Sequence, residues 1–368
     1  MSAPDVIVTW LQHDYGQLGR PSEAIAHALV RSSAAGRVAY LEPFHAGHGE
    51  PELGAHDDRG LLVFTGRGPA PCGHHEVAHG VVSLAEMSDP ILLNFGVAQA
   101  NWWFQYEFAP VCARTVLVTY DKLAEWEAAA SQRTLLERTR RQLIDAADVV
   151  CGLSEGSIDD VPGAVYVGHG VDEGWLDPAV DALAEPADLA AIPHPRAVYL
   201  GAMSMRFDQA AVRALADSGV EVVLIGLAPP PDLLALAHTH PHVHFIGERR
   251  PTETPAYLRH CDVGIIPHTD EPFTRSMEPH KAYNYAAAGM PTVTLHTAHA
   301  PALSGFLRAT GSIDEFVAGV HAALESGRLS DAQVAEARSL TWDRVAGLIL
   351  DAASGPASPA QDPEPGSR

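Results

Sequence analysis

Basic residues are scarce in this chain: 24 lysines and arginines stand against 46 aspartates and glutamates in 368 residues, leaving a formal net charge of -22. Such a balance offers no general positive surface to nucleic acid or to an anionic membrane, so an anionic ligand needs a locally basic pocket. Cysteine is scarce too. Cys72, Cys112, Cys151 and Cys261 form no CxxC pair, which argues against a zinc site or a disulfide framework and suits a reducing compartment. Residues 1 to 10, MSAPDVIVTW, lack a basic stretch ahead of an apolar run, and no segment reaches membrane-spanning length. The expectation is a soluble cytoplasmic protein without an integral membrane segment.

Apolar residues are plentiful, 46% of a chain longer than one hydrophobic core usually fills, so two domains are expected. Short β-branched runs such as VIVTWL (6 to 11), GLLVFTG (60 to 66), PILLNFG (90 to 96), RTVLVTYD (114 to 121) and DVVCGLS (148 to 154) alternate with helical or loop segments. The first helix begins at Pro21, a favoured first-turn residue. Buried strands alternating with helices imply a parallel sheet covered on both faces. Residues 1–172 therefore read as one doubly wound, Rossmann-like domain. An acidic, proline-bearing linker (171 to 196) precedes a restart of the pattern at AVYLGA, and residues 173–340 read as a second domain of the same kind. A helix at 341–353 with one apolar face is expected to pack back on the first domain, and 354–368, with little to bury, to be disordered.

Two α/β domains in tandem are expected to face each other across a cleft, since open parallel sheets bind ligands at the carboxyl ends of their strands. In RSMEPHKAYNYAAAGMP (275 to 291), Arg275, His280 and Lys281 follow the strand DVGII and lead into a helix whose unpaired N–H groups add partial positive charge. Arg206, in the turn LGAMSMRFD after Gly201, supplies another cation. Together they predict a diphosphate site. The competing account is that these are ordinary solvated charges at a helix start.

The order GAMSMRFD, VHFIGERRP, LRHCDVGIIPH, TRSMEPHKAYNYAAAGMPTV resembles the nucleotide-sugar half of bacterial GT-B glycosyltransferases of the group 1 type, and is similar to the xanthan glucuronosyltransferase type. The opening loop LQHDYGQLGRPSEAIAHAL and the segment VYVGHGVD also resemble that family, so the likeness spans nearly the whole globular chain. It implies a metal-independent transferase that uses a sugar nucleotide of the UDP-sugar kind as substrate and has no cofactor. It further implies that Arg275 and Lys281 hold the diphosphate, that Gly201, Ser204 and Arg206 form the facing loop, that Glu248 meets the nucleobase and His280 lies near base or diphosphate, and that Asn284 contacts the ribose. Many members carry two glutamates eight residues apart, and here those positions are Ser276 and Asn284.

For a proton acceptor at the acceptor hydroxyl, Asp121 is the first choice, with His13 and Asp14 as further candidates at strand ends; each is otherwise a cap or turn residue. A reaction that retains configuration needs no such base. The aromatic run NWWFQYEF (101 to 108) offers Trp102, Trp103 and Tyr106 as an acceptor platform, or equally as core. The loop 44 to 60 is read as bordering that site. Histidine-rich HAGH, GHHEVAH and HTHPHVH lack the helical HExxH arrangement of a catalytic metal site and read as solvated or core-edge groups. The expected partners are a nucleotide-sugar donor and a small-molecule acceptor, in a monomer or homodimer. The alternatives are a sugar-nucleotide epimerase and a non-catalytic nucleotide-binding homologue.

Overall fold

A computed structural model describes residues 3–10, 15–16, 20–46, 52–68, 74–96, 105–227, 229–297 and 300–355. The chain forms two compact units: one contains residues up to Gly168 and from Trp342 onward, the other His169–Thr341. In the first unit the elements are β1 (Val6–Trp10), α1 (Pro21–Arg31), β2 (Val38–Ala46), β3 (Glu52–Asp58), β4 (Leu61–Gly68), α2 (His74–Leu84), β5 (Ile91–Phe95), β6 (Arg114–Thr119), α3 (Arg133–Ala146), β7 (Val149–Gly152) and β8 (Val165–Tyr166). Its sheet has the order β3-β4-β2-β1-β5-β6-β7-β8. All neighbours are parallel except β3 and β4. Residues 52–58, within the segment read from sequence as a loop, are thus an antiparallel edge strand. Within its sequence ELGAHDD, residues 54–57 are exposed and, among the described side chains, Leu53 alone packs against the core, so this edge strand, half in water, carries little hydrophobic pattern.

Central strands are apolar and fully buried, as in β5, ILLNF, because helices cover both faces of the sheet. The last helix, α12 (Trp342–Ser354), contributes Trp342, Val345, Ala346, Ile349, Leu350 and Ala353 to the core shared by β1, β2, β5, β6, β7 and α1. Side chains such as Val345, Ile349 and Leu350 each gain roughly 1.5–3 kcal/mol on leaving water. That burial ties the end of the chain to its beginning, and Arg31 pairs with Asp343 at 2.7 Å beside it.

The second unit contains α4 (Ala187–Ala190), β9 (Arg196–Leu200), α5 (Gln209–Asp217), β10 (Glu221–Ile225), α6 (Pro231–Thr239), β11 (Val243–Gly247), α7 (Thr254–Arg259), β12 (Val263–Pro267), α8 (Pro272–Ser276), α9 (Lys281–Ala287), β13 (Thr292–Leu295), β14 (Leu307–Thr310), α10 (Ile313–Ser326) and α11 (Asp331–Ser339). Its six-stranded sheet, β11-β10-β9-β12-β13-β14, is parallel throughout. That order reverses between β9 and β12, the switch point at whose carboxyl edge doubly wound sheets open a crevice. Residues 169–172 belong to this unit because α9 holds them. Tyr283 Oη accepts from His169 N at 3.2 Å, and the Asn284 amide exchanges two hydrogen bonds with Asp172.

The histidine-rich segment lies at the sheet edge. Glu221 accepts from His242 at 2.9 Å and His244 at 2.6 Å, and His240 meets Asp217 at 2.9 Å. Among the described residues no three His, Cys, Asp or Glu side chains gather as a metal-binding group.

Candidate functional site

The switch point of the second sheet is built by two loops zipped together. From the end of β9, residues 201–208 run beside residues 268–269 after β12. The Asp208 amide donates to the Pro267 carbonyl and the Thr269 amide to the Arg206 carbonyl, both at 2.9 Å, and Phe207 and His268 form an antiparallel bridge. The β9 loop is anchored at its start by Gly201 N donating to Ile225 O at 2.9 Å, and at its end by Asp208, whose carboxylate caps α5 at Ala210 N and Ala211 N. Met203 and Phe207 are buried beneath it.

Lys281, the first residue of α9, reaches into this corner. Its Nζ donates to Tyr199 Oη at 3.0 Å and lies 4.1 Å from the centre of the Tyr199 ring. The same hydroxyl donates to Ala202 O at 2.8 Å, so one tyrosine fixes both the lysine and the loop. Gly201 has φ +141, and a methyl group there would come within 3.0 Å of Lys281 Nζ. The cation thus rests against bare backbone. Arg206 enters from the loop, its guanidinium 5.2 Å from the Phe273 ring centre with Nη1 3.0 Å from Met277 Sδ. The buried His268 is held well below the ordinary imidazole value first by burial and then by the charges of Lys281 and Arg206. Both cations are half-buried and both act on the buried His268, where a low local dielectric strengthens charge–charge interactions. Since α9 has only seven residues, the positive charge is carried by side chains rather than by a long helix.

The other expected donor residues are placed differently. Ser204 is half-buried in the same turn, with its carbonyl accepting from Phe207 N at 3.0 Å. Arg275 stands apart from Lys281. Its side chain is 61% exposed and held by Asp270 at 2.6 Å, on the outward face of the last turn of α8, whose final residue, Ser276, is buried. His280 does not turn to the cation corner: Nε2 meets Gly170 O at 2.9 Å and the ring stacks on His169. Asn284 is 6% exposed, and its amide donates to Asp172 Oδ2 at 2.7 Å while its carbonyl accepts from Asp172 N at 3.1 Å, which leaves it a brace rather than an open contact. Ser276 donates to Phe273 O at 3.0 Å. Glu248 is exposed just past β11.

In the first unit Asp121 follows β6 by two residues and is half-buried. The adjoining Tyr120 phenol is raised by burial and by the Asp121 charge, and lowered by Arg20, so these groups sense one another. Glu42, on β2, accepts from Tyr15 N at 2.7 Å and Glu23, on α1, from Gly16 N at 3.2 Å, and both carboxylates are buried. Burial is the main cause that pushes the Glu23 carboxyl up. Tyr106 is 63% exposed, whereas Phe108 is buried core. His13, Asp14, Trp102, Trp103 and residues 356–368 lie outside the described residues. Sequence reasoning missed Tyr199, His268, Glu23 and Glu42. The first two sit at or just past the ends of β9 and β12, the place where a parallel sheet presents its binding groups.

Comparison with known proteins bears on the family and the fold. The family model for glycosyl transferases group 1 matches residues 194–326. The UDP-glucuronate:glycolipid 2-beta-glucuronosyltransferase of Xanthomonas campestris pv. campestris is 25% identical over 269 residues, 72% of this chain. The chain covers 62% of the length of that relative. Among solved structures, the UDP-forming alpha,alpha-trehalose-phosphate synthase of Burkholderia xenovorans, in complex with glucose-6-phosphate, superposes with a TM-score of 0.67 at 12% identity over 96% of this chain and 100% of that one. A glycosyltransferase of avilamycin A biosynthesis gives a TM-score of 0.63 at 13% identity over 95% and 97%. The fold is GT-B.

Proposed function

From the premise that residues 194–326 are a group 1 glycosyltransferase domain within a GT-B chain, we propose that the protein transfers a sugar from a nucleoside-diphosphate sugar to a hydroxyl group of a small soluble acceptor. The observation that carries this reading is Lys281 Nζ, held by Tyr199 against Gly201 at the switch point of the second sheet. The donor's diphosphate binds there, on Lys281 and Arg206, and Ser204 lines the same turn. UDP is the favoured nucleotide, because the curated relative is named for UDP-glucuronate and the trehalose-phosphate synthase as UDP-forming.

In the reaction the acceptor oxygen bonds to the anomeric carbon, the bond from that carbon to the phosphate oxygen breaks, and its electron pair leaves on the nucleoside diphosphate. Asp121 takes the hydroxyl proton. Lys281 and Arg206 stabilise the charge that gathers on the leaving group, the role that fixed cations play in transferase sites. Tyr106 is the described aromatic proposed to meet the acceptor.

The test is a panel of sugar nucleotides, read by nucleoside diphosphate release with and without acceptor hydroxyl compounds. Release that is lost in Lys281→Ala, together with loss of UDP binding, supports the reading. Isomerised donor without release would make the protein an epimerase, and binding without turnover a non-catalytic nucleotide binder. In Asp121→Ala, UDP binding persists while transfer falls by ~10²–10⁴-fold, the usual range for a general base.

A further inference from the structure

His268 lies directly after β12, in the loop zipped to the Arg206 turn, and is 4% exposed. Its Nδ1 is buried without a hydrogen-bond partner among the described residues. A buried, unpaired imidazole nitrogen is uncommon and costly unless a ligand or solvent completes it. The charged groups facing it are Lys281 from α9 and Arg206 from the β9 loop. The nearby carboxylates are turned elsewhere: Asp208 caps α5, and Asp270 is held by Arg275 and His296. Two cations thus bear on a neutral ring whose Nδ1 has no hydrogen-bond partner among the described residues.

We propose that His268 is a further diphosphate-binding residue, its imidazole donating to the phosphate that Lys281 and Arg206 hold. This inference rests on the donor-site reading above. The coupling follows from charge. Burial and the two cations keep the ring neutral in the free protein. An arriving diphosphate neutralises those cations and brings an anion to the ring, which favours the imidazolium. Binding therefore takes up a proton. Because the bound form holds the proton more tightly than the free form, affinity rises as pH falls through the bound-state value and levels off below the free-state one.

The experiment is titration of UDP into the full-length chain by calorimetry between pH 6.5 and 8.5, in buffers of different ionisation enthalpy. This range is above the terminal phosphate's own ionisation, near pH 6. The wild type takes up protons, and its affinity climbs with falling pH by up to roughly tenfold per unit more than that of His268→Asn, as expected for one linked proton. His268→Gln serves as the second variant, and thermal melts confirm that each is folded. Absence of proton uptake by the wild type, or parallel pH profiles in wild type and variants, overturns the role of His268. If Lys281→Ala still abolishes UDP binding, the donor site stands regardless. If the wild type binds none of UDP, GDP and ADP, the donor-site reading itself fails and this inference falls with it.

Discussion

Gly226 is so close to Gly201 that a methyl group on it would fall 1.9 Å from the Gly201 carbonyl oxygen. Both have φ in the region that disfavours side chains, +143 and +141. The carboxyl ends of β9 and β10 therefore meet backbone to backbone, which brings the β9 loop under Lys281. Because the clash at Gly226 is with backbone, no side-chain rotation relieves it. Gly226→Ala is expected to cost more than ~4 kcal/mol, in the range reserved for severe steric faults, and to lower the melting temperature markedly. Gly201→Ala meets the flexible end of Lys281 at 3.0 Å as well as backbone strain. It should remain folded and lose UDP affinity, measured by calorimetry; unchanged affinity would separate Lys281 from the ligand.

The two arginines flanking the site make opposite predictions. Arg206 is half-buried and, like Lys281, acts on His268, so Arg206→Ala should weaken UDP binding by ~10-fold or more, the loss expected for one charge-assisted contact. Arg275 is exposed and engaged with Asp270, and exposed ion pairs contribute ~0–1 kcal/mol. Arg275→Ala should leave UDP affinity within about twofold of wild type. The reverse ranking would restore the pairing of Arg275 with Lys281 expected from sequence.

Asn284 and Asp172 are joined by two hydrogen bonds, the amide donating to the carboxylate and the carbonyl accepting from the backbone amide. Replacement by Asp sets a new, buried carboxylate against the half-exposed Asp172 carboxylate. Asn284→Asp should destabilise by ~2–3 kcal/mol, seen as a lower denaturation midpoint. Asp172→Asn in the same chain should recover most of that loss, since an amide then faces the new carboxylate. Failure of the rescue would show that the pair does not act as a unit.

The GT-B fold was legible because buried parallel strands announce themselves as short β-branched runs, such as EVVLI in β10 and VGIIP in β12. Strand β3 was not, since residues 54–57 face water and the strand lacks that pattern. In the candidate site, Lys281 and Arg206 could be picked out by their position just past strands. What the sequence could not convey was direction. Arg275 and Lys281 are six residues apart, yet α8 ends between them and α9 begins at Lys281, so one side chain goes to Asp270 and the other to Tyr199. Tyr199, His268 and Glu42 were invisible for a different reason: a tyrosine, histidine or glutamate near a strand end has no local signature until the loops fold over it.

Acid stability offers a check on the second unit away from the candidate site. Burial pushes the Glu221 carboxyl up, but hydrogen bonds from His244 and His242 outweigh it, and the group ends below its ordinary value of 4.5. A carboxyl lowered on folding contributes stability that is complete above its unfolded value and is lost as pH falls through the folded one. The wild type should therefore exceed Glu221→Gln by ~1–3 kcal/mol at neutral pH, with the gap closing as pH falls below 4.5. Chemical denaturation of both proteins from pH 7 to 3 measures this difference directly. A gap that stays constant across that range would mean that the His–Glu–His contact at the β10–β11 edge contributes packing and no charge.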